Sequence, residues 1–473
     1  MRLAPGVMIL TALLAMAGQS AARTPPQTPP PAPPPSLQAA NSAPPADPAF
    51  ACHVGLYRME DRGLVDIAPV TGPGGRWRTL DGQTGRLTPL PDGGWKNTQG
   101  WSDRVQGSQV QLGACGDGRL TFDGREARRV EQTAVETTFA GAGGVLLKGR
   151  LILPPGDGPA PVMVEVHGSE SSSARDFNWF QRLSPAAGVG VFVYDKRGTG
   201  GSEGRYTQDF NLLAGDAAAA VVEARRLAGS RAGRIGLHGG SQGGWVAPLA
   251  ATLTPVDFVV VGFGMAEGVL AEDREEMRQD LEAKGWGPDV VATAREIHEV
   301  TAAFVRSNGA VGFAGLDAVR ARYSSEPWWN DLSGDFSSVL LKSTNEQITA
   351  MKDELDIGIL WDYDPMPVLR SADAPILWIL AADDTEAPPE GTRERLTMLA
   401  AEGRPITLLQ YPDADHGIIE FERGADGSRI ETRYSEGYIQ AVLDWAGHGE
   451  LRHDLGRGTV LARPASTGAR PAE

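Results

Sequence analysis

The sequence predicts an α/β protein: a mainly parallel sheet with helices on both faces and a helical insert, preceded by a small all-β domain. Three observations carry this. After residue 133, compact apolar runs alternate with helical stretches, the pattern of strands joined by helical crossovers. Between residues 51 and 130, short apolar runs are broken every few positions by Gly, Asp and Pro, with no helical spacing. Between Gly264 and about Arg370, a mostly helical stretch interrupts the strand series.

Met1 to Ala22 reads as a secretory signal, because Arg2 precedes an apolar run from Val7 to Gly18 and small residues follow at Ser20, Ala21 and Ala22. The run is too short for a bilayer span, so no stable membrane insertion is expected once the signal is cleaved. Residues 23–49 form a Pro-rich linker: 11 of the 34 prolines lie between Pro25 and Pro48, which favours extended polyproline II. The expected location is therefore outside the cytoplasm, periplasmic or extracellular.

Residues 50–131 read as the small β-rich domain. Turn residues recur at Thr71–Gly75 and Pro91–Gly94, and apolar runs such as Leu64–Pro69 and Arg119–Phe122 supply strands. Trp77, Trp95 and Trp101 are expected to pack between strands. The two cysteines, Cys52 and Cys115, lie 63 positions apart with no metal-ligand spacing, and in an exported chain they read as one disulfide.

Residues 132–447 form the main domain. Thr133–Ala140 and Val145–Leu153 predict an antiparallel pair; Val162–Val166, Val191–Asp195, Arg234–His238, Phe258–Phe263, Ile376–Ala381 and Ile406–Tyr411 predict the core strands. Leu212–Ala228 predicts a crossover helix, and Asp273–Ala283 and Val290–Val305 predict helices of the insert, about 264–370. Residues 448–473 read as a flexible tail. The charge balance, 44 Lys plus Arg against 60 Asp plus Glu for a net −16, argues against a nucleic-acid partner. The sequence is silent on oligomeric state.

Four motifs fall at the carboxyl ends of predicted strands, where open α/β sheets build their sites. Gly239-Gly240-Ser241-Gln242-Gly243 follows a strand and opens a helix. Glycines there permit a turn too tight for side chains, and the helix N-terminus favours developing negative charge. Ser241 is the candidate nucleophile. After Val162–Val166, His167-Gly168-Ser169 forms a loop whose backbone amide joins that of Gln242 in holding an oxyanion, with Ser169 as donor and Gly168 as the alternative. After Pro375–Leu380, Asp383 and Asp384 each offer a carboxylate to orient an imidazole. After the last predicted core strand comes His416; of the seven histidines it alone lies on a loop at a strand's carboxyl end and after the aspartates.

At these residues the sequence resembles the α/β-hydrolase superfamily, most closely its exported bacterial esterases and hydrolases of the serine aminopeptidase, prolyl oligopeptidase and bile-acid-CoA-thioesterase-like branches. The resemblance rests on Gly239–Gly243, His167-Gly168, His416-Gly417 and the loop Asp195-Lys196-Arg197-Gly198-Thr199-Gly200-Gly201-Ser202, in which Arg197 reads as a structural brace. It implies an α/β-hydrolase core with a cap, a Ser241–Asp384–His416 triad, and Asp384 rather than Asp383 from the register with Pro388. Ala381 departs from the family's usual Gly. The implied chemistry is hydrolysis of carboxylic ester or thioester bonds through an acyl-enzyme, with no cofactor and no metal. The expected partner is a small-molecule ester or a short peptide.

The residues also bear on two alternatives. Glu272, Glu275 and Glu276 would suit a substrate's ammonium, as a peptidase requires, but read more simply as a solvated helix face. A non-catalytic binding protein on the same scaffold would not need an intact Ser, Asp and His set. Trp328, Trp329 and Trp361 are candidates for a pocket wall or for packing of cap against core.

Overall fold

The computed structural model describes residues 47–465 apart from 62, 106–109 and 353–355. The signal segment and almost all of the Pro-rich linker lie outside the described residues.

The β-rich segment is one antiparallel sheet of eight strands: β1 Gly55–Met59, β2 Leu64–Pro69, β3 Gly75–Thr79, β4 Thr84–Pro89, β5 Trp95–Gln99, β6 Val110–Leu112, β7 Arg119–Phe122 and β8 Arg125–Arg129. Their order is β5-β4-β3-β2-β1-β8-β7-β6. Trp77 is fully buried between Leu87 and Phe122, and its indole donates to Asn97 Oδ1 at 2.8 Å, so its polar edge is satisfied. Trp95 packs edge-on to Phe50. Trp101 corrects the expectation of inter-strand packing: it is 38% exposed, covered by the Arg76 guanidinium at 4.3 Å and edge-on to Tyr434 of the main domain. Cys52 and Cys115 are joined, with Cα atoms 5.5 Å apart.

The main sheet has nine strands among the described residues, in the order β20-β16-β15-β14-β13-β11-β12-β10-β9. These are β9 Ala134–Ala140, β10 Leu146–Ile152, β11 Ala160–Val166, β12 Gly190–Tyr194, β13 Ala232–Gly240, β14 Val259–Gly262, β15 Ile376–Ala381, β16 Ile406–Tyr411 and β20 Thr459–Ala462. β11 to β16 run parallel; β9, β10 and β20 pair antiparallel, with β9 and β20 at the two edges. The parallel strands are buried along nearly their whole length, which is why they read as continuous apolar runs rather than alternations. One face packs the helices Phe210–Ala228 and Gly243–Leu253, the other the helix Tyr438–His448.

Two segments differ from expectation. The tail is not loose over its described part: β20 pairs with β16, and His453 and Arg452 donate backbone amides to Asp444 at 2.8 and 2.7 Å. At four residues, with no side chain fully buried, this edge strand is too short to give a strand signal. After β16 come β17 Ala414–Asp415, β18 Ile419–Arg423 and β19 Arg429–Tyr434, a small separate sheet. The β-rich sheet docks on this hairpin. Tyr434 N donates to Gly82 O at 2.9 Å and Trp101 N to Glu431 O at 3.1 Å. Beside it, the buried Asp66 pairs with Arg182 and, at 3.5 Å, with Arg78.

Between β14 and β15 lies the insert, whose helices include Val269–Ala283, Pro288–Arg306, Ala314–Tyr323, Ser337–Lys342 and Asn345–Ala350. It has its own apolar clusters. Trp328 and Trp329 belong to one of them, with Met277, Leu281 and Ile297, and so serve packing within the cap. No described helix is long and apolar enough to cross a membrane.

Candidate active site

The turn after β13 places Ser241 at φ +52°, left-handed for a residue with a side chain. Such a conformation costs about 1–3 kcal/mol and persists only where its surroundings impose it. They do so by close packing: a Cβ on Gly239 would stand 2.5 Å from the Gly243 carbonyl oxygen, and one on Gly243 would stand 2.9 Å from that of Val166. Ser241 N is held by Gly262 O at 3.1 Å, and the helix Gly243–Leu253 starts directly behind it.

Asp384 is buried at the end of β15. Its Oδ1 accepts from the amides of Glu386 and Ala387 at 3.0 and 2.8 Å, and its two oxygens stand 3.0 and 3.1 Å from His416 Nδ1. Asp383 points its backbone elsewhere, its amide donating to Ala414 O at 3.0 Å. The His416 loop is fixed by Asp415, which accepts from the Thr385 and His416 amides, each at 2.9 Å, and pairs with Arg429 of β19. Burial lowers the His416 pKa, but Asp384, then Glu386 and Asp415, outweigh it and push the imidazole up to about 9.

On the opposite side, Lys196 Nζ donates to Gly168 O at 2.8 Å. In a trans peptide the C=O and the next N–H point in opposite directions, so this bond turns the Ser169 amide away from Lys196. Among the described residues the amides of Ser169 and Gln242 have no acceptor. Ser169 also lines the cavity. Lys196 went unremarked in the sequence because the loop containing it reads as a brace. That reading holds for Arg197, whose guanidinium makes two 2.7 Å bonds to the buried Asp216.

Ser169, Ser241, Gln242 and His416 share one cavity of about 490 Å³ under the insert. Much of its lining is apolar, with Phe304, Phe313, Phe336, Leu340, Ile359 and Trp361. Glu272, Asp335 and Glu386 also line it. This corrects the solvated-face reading of the acidic helix. Only Glu275 fits that reading, paired with Arg274 and Arg278 at the surface side. Burial, with Asp335, Asp273 and Asp280, pushes the Glu276 carboxyl up to about 8. Glu272 is raised well above the carboxylate range by burial, then by Asp335 and Asp384. The helical period puts Glu272 and Glu276 four apart on one face, a signal that was present in the sequence.

A doubly wound sheet with this cavity at the carboxyl ends of its strands, a strained serine on one wall and a carboxylate-held imidazole on another, defines a hydrolase. The family model described as "Alpha/beta hydrolase family" matches residues 162–426, more than half of the chain, and the chain belongs to that family. Among curated proteins it is similar to a thiohydrolase, aneE, of Aspergillus aculeatus, 25% identical over 296 residues that cover 60% of this chain and 87% of the relative. Among solved structures it is similar to an acylaminoacyl peptidase of Pyrococcus horikoshii, with a TM-score of 0.42, 14% identity and coverage of 85% of this chain and 56% of that one. It is also similar to an esterase of Pyrococcus furiosus, with a TM-score of 0.38, 15% identity and coverage of 60% and 84%.

Proposed function

We propose that this hydrolase cleaves carboxylic ester or thioester bonds through an acyl-enzyme. The observation that carries the reading is the strained Ser241 and the Asp384–His416 pair facing one cavity. Ser241 Oγ attacks the carbonyl carbon as His416 Nε2 takes its proton, while Asp384 holds Nδ1–H and stabilises the imidazolium. The amides of Gln242 and Ser169 hold the oxyanion. His416 then protonates the leaving group and activates water to release the acid. The apolar wall suits an apolar acyl or aromatic group, and the curated relative's name as a thiohydrolase supports thioesters within the class.

A second reading is an exported serine peptidase, favoured by Glu272, Asp335 and Glu386 in the cavity, which would attract a free ammonium. Release of p-nitroaniline from an unblocked aminoacyl anilide, compared with p-nitrophenyl ester cleavage in the same plate, separates the two. Export is part of the proposal, resting on the sequence of Met1–Ala22; recovery of the protein only with the cytoplasmic fraction would remove it. The test of the main reading is labelling by a fluorophosphonate probe, expected at Ser241 and absent from Ser241→Ala.

A further inference from the structure

Glu386 stands two residues beyond Asp384 on the same turn, and its Oε2 lies 3.5 Å from His416 Nε2. The imidazole is thus bracketed by two carboxylates, Asp384 on Nδ1 and Glu386 on Nε2. Nε2 is the atom that has to accept the Ser241 proton. Among the described residues no hydrogen bond joins it to Ser241 Oγ. When Nδ1–H serves Asp384 and the ring is neutral, Nε2 presents a lone pair, which a facing carboxylate repels. With Glu386 ionised, the observed contact is favourable only when Nε2 carries a proton.

We propose, resting on the serine-hydrolase reading, that Glu386 is a positioning residue that competes with Ser241 for His416 Nε2. It holds the imidazole in an ion pair that has to open before the serine can be activated. The ester hydrolysis of the free enzyme is therefore switched on by alkaline pH.

The surroundings reinforce this charge balance. Asp384 and Asp415 face the ring from its supporting loops, Asp335 from the insert and Glu431 from β19, while Glu272 of the insert lines the same cavity and acts on Asp384. Arg429 offsets Asp415, and Arg76 acts on Glu431. His416 is the one ion-pair partner of Glu386 among the described residues. The two carboxylates on the ring differ in one useful respect. Asp384 is buried, whereas the Glu386 side chain is 74% exposed, so dissolved salt screens the second far more than the first.

The test is the pH profile of kcat/KM on a neutral p-nitrophenyl ester, for the wild type and for Glu386→Gln, at low salt and in 1 M NaCl (a Debye length of about 3 Å). The acid limb is expected to fall by about one unit in Glu386→Gln, since an opposite charge this close shifts a pKa by 1–3. At pH 7 this reads as a rise of up to about tenfold in kcat/KM. Salt should move the wild-type limb the same way and leave the variant's in place. A residue that merely shapes the turn would lower kcat without moving the limb. A limb unmoved by both substitution and salt overturns the proposal, and if Glu386→Gln does not fold, the salt arm on the wild type decides. Activity that survives in Ser241→Ala overturns the underlying reading instead, whereas Ser241-dependent activity with a fixed limb removes only the role of Glu386.

Discussion

Lys196 holds the carbonyl of Gly168 from beneath, at 2.8 Å, and thereby presents the next amide, that of Ser169, to the cavity. The lysine is buried, which pulls its ammonium down to about 8 against the raising effect of Glu170. The ammonium's one hydrogen bond among the described residues goes to that carbonyl, with the Tyr206 ring 4.9 Å away, so the cation fixes the orientation of this peptide. Loss of one oxyanion donor costs about 10²–10³ in kcat. Lys196→Met is therefore expected to lower kcat by about 10²-fold while changing KM little, measured by steady-state ester hydrolysis.

Asp66 neutralises Arg182 of the main domain and Arg78 of the β-rich sheet, all three buried. Asp66→Ala would leave two guanidinium groups without compensation. Breaking a buried pair this way costs about 3–5 kcal/mol. Denaturant unfolding should show that loss. It should be accompanied by weaker activity, since the same contact region supports the β18–β19 hairpin that carries Arg429 against Asp415.

Stability should fall in the pH range where activity rises. The folded His416 value, about 9, stands above the ordinary 6.5, so its contribution is full below pH 6.5 and is lost as pH rises through 9. Glu276 is raised from 4.5 to about 8, so the fold favours its neutral form and loses that contribution between those values. Thermal melts are expected to show a lower midpoint at pH 9 than at pH 6. Glu276→Gln should recover part of the difference at pH 9 and leave pH 4 unchanged.

Trp361 closes the apolar wall, edge-on to Phe336 at 5.1 Å. Trp361→Ala enlarges the cavity. A substrate series of p-nitrophenyl esters should then shift its kcat/KM optimum to longer acyl chains, by roughly 10–200-fold between the best and the displaced chain, the range one methylene or so is worth in such a pocket. An unchanged chain-length profile would place the acyl group elsewhere.

The core strands were legible because each is buried on both faces and therefore uniformly apolar, and because Gly and Asp mark the turns at their carboxyl ends. Ser241, Asp384 and His416 were legible for the same reason: their loops follow strands directly. The choice between Asp383 and Asp384 needed a register borrowed from resemblance, since adjacent carboxylates differ only in which way the turn points them. The edge strand Thr459–Ala462 was missed because it is only four residues long and partly exposed, and the hairpin after His416 because its strands carry mixed polarity. Glu272 and Glu276 were misread because a charged helix face is the same in sequence whether it meets water or a cavity. Trp101 was misread because its partner, Tyr434, is more than 300 residues away.

The most direct measurement of the account is single-site: Ser241→Ala, with the wild type alongside, assayed for p-nitrophenyl ester hydrolysis and for fluorophosphonate labelling, with thermal melts as a check on folding. Expected are a loss of about 10⁴-fold or more in kcat, no labelling, and a melting midpoint no lower than that of the wild type, since Ser241 Oγ makes no hydrogen bond among the described residues. Near-normal hydrolysis by a folded Ser241→Ala protein would contradict it.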